Sequence, residues 1–160
     1  DRIRTCNIDR IIHTILNNIR ENVDSIDDLI IYFPDDGAMK RYIELFNQFK
    51  MCYGSKKRDW GTGKILNLEV VTNGVDLKGK NVLMVDDIIA YGGTMYYSAI
   101  ELKRLGVNKI FTYVTHTEKS ILDKERGTFI KLLEDGTVDM LYTTNSIFNL
   151  KHDKIKIINE

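Results

Sequence analysis

The sequence predicts an α/β fold with an open, mostly parallel sheet that carries helices on both faces. Short apolar runs alternate with segments of helical periodicity along the chain, the order that produces such a sheet. The runs at 29–33 and 82–85 are continuously apolar, which is typical of strands buried on both faces. The length of 160 residues suits one compact domain. We therefore expect residues 1–160 to form a single domain.

The first half of the chain supplies the early elements. Apolar residues at helical spacing predict a helix over 7–22, and the run at 29–33, closed by Pro34, predicts a strand. Apolar residues at helical spacing also predict a helix at 38–49. The remaining elements of this half are a short strand at 51–53, a polar, glycine-rich and mobile loop at 54–63, a strand at 64–71 and a turn at 73–74.

The second half continues the alternation. The central strand is predicted at 81–85 and its helix at 94–105, ended by Gly106. The later elements are a strand at 109–115, a helix within 118–134, and two strands at 140–143 and 154–158. Strands that regularly follow helices in this way favour parallel pairing.

The composition excludes some classes of function. The 23 basic residues balance the 23 acidic ones, so the net charge gives no reason to expect nucleic acid or a membrane as a partner. No apolar run approaches the ~20 residues of a membrane span. Cys6 and Cys52 lack metal-binding spacing, and we expect reduced core thiols in a cytoplasmic protein.

The segment 82–95 carries most of the functional information. Its apolar strand leads into Asp86 and Asp87, and a short linker leads to Gly92 and Gly93 at the start of a predicted helix. Carboxylates at the carboxyl edge of a sheet can accept hydrogen bonds from sugar hydroxyls. Glycines let the backbone approach a ligand, and a helix N-terminus presents free N–H groups to phosphate. This order of residues predicts a site for a phosphorylated sugar.

The linker itself is the predicted phosphate-binding loop. Backbone N–H groups over 90–94 could surround an anion, with the Thr94 hydroxyl as a further donor. Thr94 could equally act as the N-cap of the helix. Asp86 and Asp87 can share one side only if the strand has ended before them, and Asp87 could instead cap or hold the loop.

This segment resembles the fingerprint of type I phosphoribosyltransferases and of ribose-phosphate diphosphokinases (phosphoribosyl pyrophosphate synthetases). In those families a hydrophobic strand runs into Asp-Asp, and a loop ending in Gly-Gly-Thr wraps the 5-phosphate of ribose. The resemblance implies a type I phosphoribosyltransferase-like fold. The residues that it implies for ribose 5-phosphate binding are Asp86, Asp87, Ala90, Tyr91, Gly92, Gly93 and Thr94.

Two positions depart from the family pattern. Ala90 and Tyr91 stand where relatives usually carry a small polar residue and then Thr or Ser. Each lost hydrogen bond to a charged group would cost about 1.5–3 kcal/mol. The departure reduces the expected affinity for phosphate.

Two further segments resemble synthetase motifs. In 33–41, a strand ends in Pro-Asp before a basic helix, which implies a role for Asp35 in binding Mg²⁺ and the ribose side of the substrate. A plain turn is the alternative for this segment. Lys56 and Arg58 match the Lys-x-Arg that opens the catalytic loop, which implies that they stabilise the transferred pyrophosphoryl group. A solvated charge run is the alternative there. Trp60 either closes over a ligand or anchors the loop.

The resemblance extends over about 28–158, where Thr115-His116 and the stretch 142–147 match later strand ends. His116 could be a general base, although a structural role is the simpler interpretation. This coverage corresponds to the C-terminal half of a synthetase, and the chain starts at Asp1, so we expect a piece of a longer protein.

The implied reaction moves pyrophosphate from ATP to the 1-hydroxyl of ribose 5-phosphate with Mg²⁺. The implied partners are these two substrates, a missing N-terminal domain and further copies of the protein in a homo-oligomer. Alone, the chain is expected to bind ribose 5-phosphate weakly and to be nearly inactive. Two alternatives stay open: a phosphoribosyltransferase that uses phosphoribosyl pyrophosphate and a base, and a non-catalytic, synthetase-like regulatory subunit.

Overall fold

A seven-stranded sheet forms the centre of the molecule, in the order β3-β2-β1-β4-β5-β6-β7. The computed structural model describes the backbone of residues 2–159 and the side chains of 8–64 and 67–159. The strands are β1 (Ile30–Phe33), β2 (Lys50–Arg58), β3 (Ile65–Val71), β4 (Val82–Ile89), β5 (Ile110–Thr117), β6 (Met140–Thr144) and β7 (Ile155–Ile158). Only the pair β2–β3 is antiparallel among these strands, and all other neighbours run parallel. The predicted open, mostly parallel sheet is confirmed.

Helices cover both faces of this sheet. They are α1 (Arg2–Arg20), α2 (Asp36–Tyr42), α3 (Gly93–Arg104) and α4 (Phe129–Glu134). Side chains of β4 alternate between the two faces of the sheet, and each face has its own hydrophobic core. Val82 and Met84 pack in the core that contains α3 and α4. Leu83 and Val85 pack in the core that contains α1 and α2. The apolar part of β4, residues 82–85, is therefore buried on both sides, as its continuous apolar run predicts.

Two predicted helices are shorter than expected. The helix predicted at 38–49 begins at Asp36, because the Asp35 carboxylate caps it by accepting a 2.9 Å hydrogen bond from the Ala38 N–H. It ends at Tyr42, and a 3₁₀ turn over Ile43–Phe46 follows.

The helix predicted within 118–134 is the short α4, which begins only at Phe129, and a 3₁₀ turn at Lys119–Leu122 precedes it. Between them, the Asp123 carboxylate accepts hydrogen bonds from the N–H groups of Glu125 and Arg126. Such local bonds offer the backbone an alternative to continuing a helix.

The prediction of a mobile loop at 54–63 is wrong for its first half. Strand β2 continues to Arg58, because residues 53–58 pair with β3 across an antiparallel ladder. Only 59–64 remain as the connecting turn. Glycine and lysine in this segment favoured a loop locally, whereas the pairing depends on residues further along the chain.

Gly54 occupies a point where β2 passes very close to β1. A Cβ atom at this position would lie 2.4 Å from the Tyr32 hydroxyl and 2.6 Å from the Pro34 carbonyl oxygen. Because Pro34 contributes backbone, relief requires the two strands to separate. We expect Gly54→Ala to lower the free energy of unfolding by about 2–3 kcal/mol in urea denaturation. Ser55→Ala, exposed on the same strand, is the control, and an equal loss in both variants would contradict this account.

The structure describes one of the two cysteine side chains, and it also bears on the expectation that no segment spans a membrane. Cys52 is a free, buried thiol, and burial raises its pKa to about 12, so it remains protonated at neutral pH. The side chain of Cys6 lies outside the described residues. Within 2–159, no helix is both long and apolar enough to cross a membrane.

Candidate functional site

The carboxyl edge of the sheet gathers several of the residues that the sequence singled out. Asp35 follows β1, Lys56 lies late in β2, and Asp86 and Asp87 lie in the last half of β4. Thr94 comes from the first turn of α3. Parallel neighbours end at one edge, and this is where ligands bind in open α/β sheets.

The acid pair is divided between the two sides of β4. The expectation that the strand ends before Asp86 is wrong, because β4 pairs with β5 as far as Ile89 and Thr117. Successive strand residues point to opposite faces, so Asp86 and Asp87 have different surroundings. Asp87 contacts α2, whereas Asp86 lies near Asp35 and Lys56.

The pKa of Asp86 is raised above its ordinary value. Burial raises its pKa, and the nearby negative charge of Asp35 raises it further. The backbone N–H of Asp87 donates a 2.8 Å hydrogen bond to Asp86 and opposes that rise, as do the cations of Lys56 and Arg41. A half-buried carboxyl that is costly to ionise and close to a cation is characteristic of a functional position.

Lys56 connects three elements at this edge. Its ammonium lies 3.7 Å from Asp35 Oδ2 and 3.4 Å from Thr94 Oγ1. The cation therefore lies between β1 and the N-terminus of α3, where an anionic ligand would be held. The structure thus brings Lys56 to the same edge as Asp35 and the loop at 90–94, and its role towards the pyrophosphoryl group stays a prediction.

Arg58 has a different environment. It is exposed, and its guanidinium donates a 3.0 Å hydrogen bond to the Gly63 carbonyl across the turn between β2 and β3. Trp60 at that turn is fully exposed, with a relative accessibility of 105%. The structure thus excludes the interpretation that Trp60 anchors the loop by packing, and it does not bring Arg58 into the cluster around Lys56.

The loop at 90–94 is shaped by Gly92. Gly92 adopts a left-handed conformation with φ of 91° and immediately precedes α3. A Cβ here would lie 2.3 Å from the Cβ of Phe129, whereas a Cβ on Gly93 would meet no atom within 4 Å. Thr94 lies inside the first helical turn and Gly92 is the N-cap, so the alternative of an N-cap role for Thr94 is excluded. The first N–H groups of this 12-residue helix lack intrahelical acceptors and are available to an anion.

Tyr91, the unusual residue of the loop, holds the loop against α4. Its carbonyl oxygen accepts hydrogen bonds from the N–H and the hydroxyl of Thr128, at 3.0 Å and 3.1 Å. The Arg126 guanidinium lies 5.0 Å from the centre of the Tyr91 ring, a cation–π contact. Tyr91 therefore contributes to the rigidity of the loop through contacts that the sequence did not reveal.

Asp87 has two partners that sequence reasoning missed. Arg41 Nη1 donates to Asp87 Oδ2 at 2.7 Å, and the Tyr42 hydroxyl donates to Asp87 Oδ1 at 2.8 Å. Tyr42 also hydrogen-bonds Thr115 Oγ1 at 2.7 Å. For Arg41, the only local indication of a functional role was its place in the basic start of the predicted helix. For Tyr42 there was no indication in the sequence, because its contact with Asp87 joins positions 45 residues apart.

His116 has a structural partner. Its Nδ1 lies 2.7 Å from Ser146 Oγ, which joins the ends of β5 and β6. The Thr144 hydroxyl donates to the Thr115 carbonyl at 2.7 Å in the same region. These bonds agree with the structural interpretation of His116.

The chain belongs to the phosphoribosyl transferase domain family, whose model matches residues 5–141. Curated relatives agree with this assignment. The chain is 38% identical over 95 residues to the ribose-phosphate pyrophosphokinase of Pyrococcus furiosus, covering 58% of this chain and 33% of that protein. It is 35% identical over 100 residues to the chloroplastic ribose-phosphate pyrophosphokinase 3 of Oryza sativa subsp. japonica, covering 62% and 23%. The matches thus span about a third or less of these relatives.

Solved structures show the same fold. The phosphoribosylpyrophosphate synthetase of Mycobacterium smegmatis superposes with a TM-score of 0.62 at 19% identity, covering 91% of this chain and 45% of that one. A hypoxanthine phosphoribosyltransferase of Staphylococcus aureus gives a TM-score of 0.54 at 14% identity, covering 94% and 73%. The predicted type I phosphoribosyltransferase-like fold is confirmed.

Proposed function

We propose that the chain is the ribose 5-phosphate-binding domain of a ribose-phosphate diphosphokinase, which transfers pyrophosphate from ATP to ribose 5-phosphate. The observation that carries this proposal is the convergence of Asp35, Lys56, Asp86 and Thr94 on one sheet edge. The curated relatives bear the name ribose-phosphate pyrophosphokinase, which supports this activity over the phosphoribosyltransferase alternative.

Each part of the site has a separate task in this proposal. The N–H groups at 90–94 and the Thr94 hydroxyl bind the 5-phosphate, since a helix N-terminus favours an anion. Asp86 and Asp87 accept hydrogen bonds from the ribose hydroxyls and fix the sugar. Lys56 neutralises charge on the migrating pyrophosphoryl group. Arg58 joins this task only if the turn at 59–64 moves towards the ligand, because its guanidinium now bonds Gly63.

Mg²⁺ is part of the proposal. No group of three or more His, Cys, Asp or Glu side chains in the described part of the chain could hold a metal by itself. Mg²⁺ nevertheless needs only one or two carboxylates together with substrate phosphates and water. Asp35 and Asp86 fit this requirement, because their negative charges repel each other and a cation would relieve that repulsion. When bound, Mg²⁺ would neutralise phosphate charge and orient the pyrophosphate.

The remaining parts of the enzyme are also proposals. We propose that an N-terminal domain and further copies of the protein, in a homo-oligomeric and cytoplasmic assembly, supply the ATP site. Because the matches span a third or less of the two relatives compared, the isolated chain is expected to bind ribose 5-phosphate weakly and to turn over little. Efficient pyrophosphate transfer by the isolated chain would contradict this part.

Lys56 offers a direct test of the catalytic assignment. We expect Lys56→Gln to lower kcat by about 100-fold in the complete protein, the usual effect of removing a group that stabilises transition-state charge. Lys57→Gln, one residue away and exposed, is the matched control and should change kcat little. A coupled assay for phosphoribosyl pyrophosphate measures both variants. Equal losses would show that only the overall charge of β2 matters.

Tyr91 favours a second candidate, a non-catalytic regulatory subunit of synthetase type. Its ring stacks with Arg126 and stands where the family usually offers a hydroxyl to phosphate. The variant Tyr91→Thr separates the two candidates in a titration with ribose 5-phosphate. A gain in affinity supports a weakened catalytic site, and no gain supports the regulatory subunit.

A further inference from the structure

A chain of hydroxyl groups reaches Asp87 from the core on the α1 and α2 side of the sheet. The Tyr113 hydroxyl lies 3.2 Å from Thr115 Oγ1, which lies 2.7 Å from the Tyr42 hydroxyl. Tyr42 then donates to Asp87 Oδ1 at 2.8 Å, and Arg41 holds the other oxygen at 2.7 Å. Two helix residues and one residue of the neighbouring strand therefore fix the position of this carboxylate.

Tyr42 is well suited to hold a charged partner. Its side chain is only 5% exposed, so its rotamer is set by packing, including an edge-to-face contact with the Tyr113 ring at 6.4 Å. Burial raises the pKa of the Tyr42 phenol above its ordinary value, with a further contribution from Asp87. The hydroxyl therefore stays protonated at neutral pH and remains a donor.

Asp87 keeps the capacity to bind a ligand although both of its oxygens are held. Its side chain is 35% exposed. A carboxylate has about four lone-pair sites, and the contacts to Arg41 and Tyr42 use two of them. A carboxylate that is fixed in place yet accessible is preorganised for a hydroxyl donor, because its orientation costs no entropy on binding.

We propose that Tyr42 is a positioning residue for sugar recognition: by holding Asp87 against Arg41, it orients that carboxylate towards a ribose hydroxyl. Thr115 supports the same bond from β5. This inference rests on the proposed function, since it concerns the same sugar-phosphate site. It assigns one ribose hydroxyl to Asp87 on the α2 side of β4, and the loop at 90–94 keeps the phosphate end.

The test compares two ligands that share the phosphate but differ in the sugar. Ribose 5-phosphate uses both ends of the site, whereas inorganic phosphate uses only the loop. In Tyr42→Phe we expect the Kd for ribose 5-phosphate to rise by about tenfold, an effect typical of one lost bond to a charged group. The Kd for inorganic phosphate should stay unchanged in the same calorimetric titrations.

Tyr32→Phe is the matched control. Its hydroxyl is also buried and bonds a single side chain, Ser98 Oγ at 2.8 Å, so the substitution removes a comparable hydrogen bond away from Asp87. Both Kd values should be unchanged in this variant. Thr115→Val provides a second variant that removes a hydroxyl next to Tyr42, and we expect a smaller rise for ribose 5-phosphate alone.

The outcomes separate this inference from the proposed function. If the wild-type chain binds ribose 5-phosphate but Tyr42→Phe binds both ligands as the wild type does, the positioning role is wrong and the proposed function stands. Parallel losses for both ligands would show a merely structural role and also overturn the inference. A wild-type chain that binds inorganic phosphate as tightly as ribose 5-phosphate would contradict the proposed function and this inference together.

Discussion

Gly92→Ala is expected to lower the free energy of unfolding by about 2–5 kcal/mol, a large part of the stability of a typical domain. Two separate costs add. A left-handed backbone costs a non-glycine residue about 1–2 kcal/mol, and Gly92 has φ of 91°. The new Cβ would also lie 2.3 Å from the Phe129 Cβ, so the loop or α4 must shift, at about 1–3 kcal/mol. Urea denaturation followed by circular dichroism measures the loss.

Gly93→Ala is the matched control for that experiment. A Cβ on Gly93 would meet nothing within 4 Å, and this residue is the first of α3. We expect stability within about 1 kcal/mol of the wild type, since alanine also favours the helix. Equal destabilisation by the two substitutions would contradict the structural account of the loop.

Asp86→Asn is expected to weaken ribose 5-phosphate binding by about 100-fold or more. The substitution removes the charge that accepts hydrogen bonds from the sugar and, with Asp35, holds Mg²⁺ in the proposed site. Two lost interactions of about 1.5–3 kcal/mol each account for that size. Calorimetric titration with Mg²⁺ present measures it. The control is Asp76→Asn, whose carboxylate accepts from the Lys78 N–H in an exposed turn outside the site.

The same substitution should raise stability at neutral pH. Burial and Asp35 raise the pKa of Asp86 above its unfolded value, so its ionised form is disfavoured in the folded state. The stability linked to this group is present below the unfolded pKa of about 3.9 and is lost as the pH rises through the folded pKa. Asp86→Asn should therefore melt higher than the wild type at pH 7, with a smaller difference near pH 4. A lower melting temperature at pH 7 would contradict this electrostatic account.

The sheet was predictable because its signals are local. The apolar run at 82–85 and the helical spacing at 94–105 decide their elements by burial, and those elements were placed to within a few residues. The segment 54–58 was missed because its strand depends on pairing with β3, which lies beyond the turn. Likewise, the helix within 118–134 begins only at Phe129, after local hydrogen bonds of Asp123 that propensity does not reveal.

The candidate site also contains features that the sequence predicts and features that it does not. Asp35, Lys56 and Asp86 could be selected from the sequence because each belongs to a recognisable motif next to an apolar run. The distances between these side chains could not be predicted, since they depend on the order of the strands in the sheet. The partners of Asp87 were invisible for the same reason, because Tyr42 reaches it across 45 positions and Thr115 lies on another strand.

The most direct test of the central claim is an NMR titration of the ¹⁵N-labelled chain with ribose 5-phosphate and Mg²⁺. The account predicts saturable shifts of the amide resonances at 90–94, where the N–H groups would bind the phosphate, together with shifts at Asp86 and Asp87. Resonances at the opposite edge of the sheet, such as Lys109 and Asp139, should not move. An absence of shifts at 90–94 at millimolar ligand, or saturable shifts confined to another surface, would contradict the assignment of this edge as a sugar-phosphate site.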